Sequence, residues 1–169
     1  VNGDTTADMI GRFHEHVLDY RPKAVLIMGG GNDVMGGTQM QFVTNNIAMM
    51  AQLALDRGII PMIGIQPEPD HKNVPEEIKS MLDYDQVKEN LAELKQWLIT
   101  FAKANNLPLI DFDTGMKNRL RAGYGRYFFD GIHPNPSGHR MMAIVAKEAF
   151  VKMGLLKEEA PEEDHRFDL

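Results

Sequence analysis

Asp130-Gly131-Ile132-His133-Pro134 places a carboxylate and an imidazole three residues apart, just after an aromatic run and just ahead of a helical pattern. Histidine is the side chain whose ordinary pKa lies near neutral pH, so it can take a proton and return it within one turnover. To act as a base towards a hydroxyl it needs a partner that fixes its tautomer and stabilises the imidazolium. A nearby Asp accepting the Nδ1 proton does this. On a tight loop, Asp130 and His133 are close enough for that bond. Such a pair is half of a nucleophilic triad, and the plain alternative is a capped loop pair with no chemistry.

A second candidate is Gly29-Gly30-Gly31-Asn32-Asp33. As a phosphate cradle it fails two patterns. A dinucleotide fingerprint from Gly29 needs Gly at position 34, where Val34 stands, and the Gly-Lys-Ser/Thr ending of a P-loop is missing. A tight turn explains the glycines but not an amide at the ligand end of a sheet, where Asn32 could donate its NH₂ to a developing oxyanion. Gly3 is either a turn residue or, lacking a Cβ, a backbone N–H that can approach a substrate closely.

Asp70, His71, Asp111, Asp113 and His139 raise a metal-site alternative. Asp111 to Gly115 misses the calcium-loop pattern, since the Gly comes one place early and Ala122 stands where a bidentate Glu belongs. His14 and His16 are two apart on a helix, so they diverge. His139 is expected to pack in the first turn of the last helix.

The elements that must carry these residues alternate. Thr5 and Asp8 have the spacing of an N-cap and its reciprocal acid. Ile10, Phe13, Val17 and Tyr20 then predict an amphipathic helix over 5–19. Residues 23–28 are short, continuously apolar and bounded by turn signals, like a strand buried on both faces of a parallel sheet. A helix is predicted near 38–56, with Val43, Ile47, Met50 and Ala54 on one face. Residues 59–65 and 107–112 read as further strands. Helices are predicted at 75–82, at 85–104 through Val87, Leu91, Leu94, Leu98 and Phe101, and at 136–153. Residues 113–129 read mostly as loop, and from Lys157 the chain is acidic with no apolar period. The domain is expected over 1–154, with 155–169 a flexible tail. Strands alternating with helices of this length imply a parallel sheet in a three-layer α/β/α sandwich.

Composition narrows the function. The 169 residues suit one domain, with 43% hydrophobic and 25% charged residues. A net charge of −6 without any basic run argues against a nucleic-acid partner. No apolar run approaches the ~20 residues of a membrane span. Cysteine is absent, which excludes disulfides, thiol catalysis and thiolate metal sites together. The twelve Met residues read as core filler. The chain opens on Val1 rather than Met, so the question of a signal peptide stays open and a cytoplasmic location is the default expectation.

Taken in order, these pieces resemble the SGNH (GDSL-type) hydrolases, serine esterases and lipases on a flavodoxin-like sheet. Asn2-Gly3-Asp4-Thr5-Thr6 resembles the family's second block, Gly30-Gly31-Asn32-Asp33 its third, and Asp130 to Pro134 its last, followed by Asn135-Pro136-Ser137-Gly138-His139. The resemblance implies a small-molecule ester substrate, no metal and no organic cofactor. It implies His133 as general base, Asp130 as its orienter, and the Gly3 N–H and Asn32 side chain as oxyanion donors. The family's first block, Gly-Asp-Ser, does not occur, and the chain's serines are Ser80 and Ser137. The nucleophile is therefore expected upstream of residue 1. In the family's 2-1-3-4-5 sheet the three strands here would be the third to fifth, and residues 24–28 would form an apolar edge of the kind native proteins cover. The loops at 66–82 and 113–129 would flank the cleft. In the latter, Arg119, Arg121, Tyr124, Arg126 and Tyr127 would either meet an anionic or sugar-bearing substrate or be solvated. A binding protein on the same fold is the alternative to an enzyme.

Overall fold

The computed structural model describes residues 1–119 and 123–157. Its centre is a parallel sheet of β1 (Ala24–Ile27), β2 (Ile60–Ile65) and β3 (Leu109–Asp111) in the order β1-β2-β3. Ala24 pairs with Ile60 and Ile27 with Ile63, while Ile63 also meets Leu109. The order is that expected for three consecutive strands of a doubly wound sheet, and the three-layer α/β architecture is as the sequence predicts.

Side-chain alternation along the strands sends residues to two cores. Ile27, Ile63 and Ile65 pack with α3 (Met40–Leu55) and α5 (Tyr84–Ala104) on one face. Leu26, Met28, Met62 and Ile110 pack with α7 (Pro136–Lys152) on the other. The predicted α3 stripe is buried throughout, Val43, Ile47, Met50 and Ala54 being at most 1% exposed. Val43, Ile47 and Met50 each contribute roughly 1.5–3 kcal/mol by their burial. β1 is more open than a strand covered on both faces. Only its Ile27 is fully buried, because no strand pairs with its outer side among the described residues.

Three local departures have physical causes. The predicted helix over 5–19 is α1 (Thr6–Gly11) followed by a π turn, His14–Leu18, in which Asp19 N donates to His14 O. The wider turn brings Phe13 and Leu18 inward at a spacing of five and leaves Tyr20 79% exposed, where a regular period had placed it inside. α2 (Gly31–Met35) starts directly at the glycine-rich turn. α6 (Phe112–Lys117) and a 3₁₀ turn, Tyr124–Tyr127, occupy much of the stretch expected as loop. The remaining helix, α4 (Glu76–Met81), lies where predicted. Of the expected tail, residues 158–169 lie outside the described residues. Among the described residues no helix is long and apolar enough to cross a membrane.

Candidate active site

The Asp130–His133 loop is fixed from both sides. Phe129 N donates to His133 O at 2.9 Å, and Asn135 N donates to Tyr127 O at 2.9 Å. The Asn135 side chain then caps α7, accepting from Ser137 N at 2.9 Å and Gly138 N at 3.0 Å. Gly131 makes the turn with φ +78°, and a Cβ there would lie 2.7 Å from the Val74 backbone nitrogen. Only glycine suits both the dihedral and that approach. Its carbonyl accepts from Asp70 N at 2.7 Å, tying the histidine loop to the loop after β2.

Asp130 divides its two oxygens. Oδ1 accepts from Ile132 N at 3.0 Å and His133 N at 2.8 Å, and Oδ2 sits 2.7 Å from His133 Nδ1. Partial burial works against the charge, but the hydrogen bonds from His133 and Ile132 outweigh it and hold the Asp130 carboxyl down to about 2. Asp130 is thus an anion throughout the range in which a histidine titrates, so Nδ1 keeps its proton and Nε2 is left basic. Nε2 makes no hydrogen bond among the described residues, and the ring is 71% exposed.

His133 lines a cleft of about 390 Å³ together with Gly31, Asn32, Gln66, His139 and Met142. The Asn32 side chain donates to Asp4 O at 2.8 Å. Gly3, at φ +81°, precedes that carbonyl in the same turn. The turn is held from its other end as well. Thr6, fully buried, donates its N–H to Asp33 Oδ2 at 2.8 Å and its hydroxyl to Asp33 Oδ1 at 2.7 Å. The predicted capping box of Thr5 and Asp8 starts α1 beside it. The structure therefore brings Asn32 and the Gly3–Asp4 turn together, and puts Asn32 and His133 on one cleft. Asp33 and Thr6, which do the joining, were not singled out in the sequence. Asp4 also pairs with Arg12 on the cleft wall.

Other candidates are placed elsewhere or used otherwise. His139 is exposed and lines the cleft instead of packing into α7, because Gly138 is the residue of that turn that faces inward. Ser80 donates to Glu77 O at 2.9 Å on exposed α4, and Ser137 is exposed at the start of α7; neither lines the cleft. Arg119 donates to Gly115 O and pairs with Glu148. Arg126 is exposed and Tyr127 half-buried, while Arg121 lies outside the described residues. Tyr124 turns inward, donating to Glu68 O at 2.8 Å and Asp113 Oδ1 at 3.1 Å. Burial first, then Asp113, pushes its hydroxyl well above the usual range. Asp113, 1% exposed, takes Lys95 at 2.6 Å and Lys117 at 2.8 Å. Its lysine partners make it half of an ion-pair cluster rather than a metal ligand. Among the described residues no three His, Asp or Glu side chains converge as a metal site would.

The architecture is that of a GDSL-type hydrolase fold, and the chain belongs to the GDSL-like lipase/acylhydrolase family, whose model matches residues 1–141. That membership places it among ester hydrolases in general. A GDSL-like lipase from Bacteroides thetaiotaomicron is similar in structure, with 27% identity and a TM-score of 0.75, covering 89% of this chain and 73% of that one. The lipase/acylhydrolase from Enterococcus faecalis is similar in fold, at 22% identity and a TM-score of 0.71, covering 94% of this chain and 75% of that one. So is a catalytic mutant of an acetylxylan esterase from Geobacillus stearothermophilus, at 18% and 0.67, covering 89% and 67%. No curated protein matches.

Proposed function

We propose that the protein hydrolyses carboxylic esters through an acyl-serine intermediate, with His133 as general base and Asp130 holding its tautomer. The observation that carries this reading is the 2.7 Å bond from His133 Nδ1 to Asp130, with Nε2 left free on the cleft that Asn32 shares. Ser80 and Ser137 do not line that cleft. The reading therefore takes its nucleophile from a Gly-Asp-Ser segment outside residues 1–169.

In the reaction, His133 Nε2 takes the serine proton as Oγ attacks the ester carbonyl carbon. Negative charge grows on the carbonyl oxygen, facing the Asn32 amide and the Gly3 N–H. Collapse breaks the bond to the alcohol oxygen, which leaves with the proton from His133. Water then attacks the acyl-enzyme by the same route, and the acid leaves. The reading uses no metal and no organic cofactor, and needs no nucleic-acid or membrane partner. Its substrates are small acyl esters, lysophospholipids or acetylated sugars, and the acetylxylan esterase of similar fold supports including the last.

The test uses the protein from its complete reading frame. 4-Nitrophenyl acetate should give a rapid release of one equivalent of nitrophenol, and a phosphonofluoridate should label one serine and abolish turnover. Activity should survive dialysis against a chelator. Ligand binding without turnover or labelling would overturn the proposal in favour of a binding protein on this fold.

A further inference from the structure

Beside the cleft, and sharing Gly29, Gln66, Pro67, Pro69 and Leu91 with it, lies a second cavity of about 90 Å³ between α5 and the loop after β2. Its floor is apolar: Ile65, Leu94 and Leu98 are each at most 3% exposed. Charged side chains also border it, but each already has a partner. Lys88 pairs with Asp85 at 2.5 Å, and Lys95 with Asp113 at 2.6 Å. Glu68 pairs with Lys117 at 2.6 Å, and His71 Nδ1 lies 3.0 Å from Tyr84 Oη. A ligand entering here meets hydrocarbon and no uncommitted charge.

Gln66 stands at the junction of the two spaces. Its amide makes no hydrogen bond among the described residues, and its Nε2 lies 2.7 Å from where a Cβ on Gly31 would be. It is thus a neighbour of Asn32 and a polar group still available to an ester oxygen as the chain beyond turns into the side cavity.

Resting on the ester-hydrolase reading, we propose that this cavity is a specificity pocket for a straight alkyl chain of the substrate, with Gln66 positioning the ester at its mouth. A cavity of this size admits a short alkyl chain of a few carbons. Each methylene transferred from water to such a floor is worth about fourfold in kcat/KM. An alkyl chain could come from the acid or from the alcohol of the ester, and both have the chemistry the pocket accepts.

The experiment measures kcat/KM for two series with the full-length protein. One varies the acyl group from acetyl to octanoyl on 4-nitrophenol, and the other varies a straight-chain alcohol from ethanol to octanol on acetate. In one series kcat/KM should climb about fourfold per carbon over the first two to four carbons and then level off, and that series says which side of the ester enters. Ala92 is exposed on α5 at the pocket wall, so a larger side chain there narrows the pocket without entering the core. Ala92→Phe should flatten the climb to within about threefold across the series, and Ala92→Leu should act in between, both with melting temperatures near wild type. Profiles that are flat or falling for the unaltered protein, or unchanged in folded Ala92→Phe, overturn the pocket while leaving the hydrolase reading intact. No turnover of any ester overturns both.

Discussion

The Asn32 amide donates to the Asp4 carbonyl at 2.8 Å, joining residues 28 apart in sequence. A side-chain NH₂ carries two N–H groups. One is committed to the turn that holds Gly3, which leaves the other for the cleft that Asn32 lines with His133. The same bond that fixes the amide's direction also fixes the backbone beside it. The oxyanion role proposed for Asn32 and Gly3 needs such mutual alignment before the substrate arrives.

Asn32→Ala should therefore lose ~10²–10³ in kcat, about 3–4 kcal/mol of barrier, with KM moving little. Asn32→Asp should do at least as badly, since it sets a like charge against the oxyanion. Steady-state kinetics and melting temperatures of both variants decide the point. Melting early while turning over within about threefold of wild type would leave Asn32 as a turn residue only.

Asp33 is 1% exposed, and each of its carboxylate oxygens accepts a hydrogen bond from Thr6. Asp33→Ala strands the buried Thr6 N–H and hydroxyl, at a cost of about 2–3 kcal/mol. Thermal denaturation should show this as a melting temperature lower by roughly 5–10 °C. Turnover of the folded fraction should fall too, because the Gly3–Asp4 turn loses its anchor. A normal melting temperature would contradict this anchoring role.

How much of this was legible can be traced through particular residues. Val43, Ile47, Met50 and Ala54 announce α3 because a single buried stripe repeats at helical spacing, and the strands announce themselves by apolar runs between turn signals. α2 has five residues and opens on Gly31, too short and too weak a former to show a period. α6 hides behind Gly115, a helix-weakening residue that is needed where Val145 approaches: a Cβ there would lie 2.7 Å from it. Its signal was present in Asp111, whose side chain caps the helix by accepting from Thr114 N at 2.9 Å. Asp130 and His133 could be paired on paper because they stand three positions apart on one loop. Asp33 and Thr6 meet across 27 residues, and local spacing does not encode such a contact.

The Asp130 carboxyl has a folded value of about 2 against an ordinary 3.8. A depressed carboxylate contributes stability that is present above its unfolded value and is lost as pH falls through the folded one. The stability advantage of wild type over Asp130→Asn should thus hold at pH 5 and shrink between pH 4 and pH 2. Melting temperatures of the two proteins across that range test it. A difference that stays constant down to pH 2 would show that the carboxylate's charge is not what the loop uses.

Asp113 joins α6 to α5 through Lys95, pairs with Lys117 on its own helix and accepts the Glu68 N–H at 3.2 Å, so it braces the loop that borders the cleft. Asp113→Ala takes the carboxylate from Lys95 and strands the Glu68 N–H, while Lys117 keeps Glu68, and should cost about 1–3 kcal/mol. Denaturant titration should show the loss as a lower midpoint with an unchanged slope. An unchanged midpoint would reduce the cluster to a solvated ion pair.

In the proposed reaction His133, held by Asp130, takes a proton from a hydroxyl. This step is tested most directly by kcat/KM on 4-nitrophenyl acetate for the full-length protein, His133→Ala and Asp130→Asn, each confirmed folded by its melting temperature. His133→Ala should lose nearly all turnover. Asp130→Asn should fall by something on the order of 10⁴, as tautomer control does in serine-protease triads. A folded His133→Ala that keeps more than about a hundredth of wild-type kcat/KM would contradict this role, because removing a general base typically costs at least about 10².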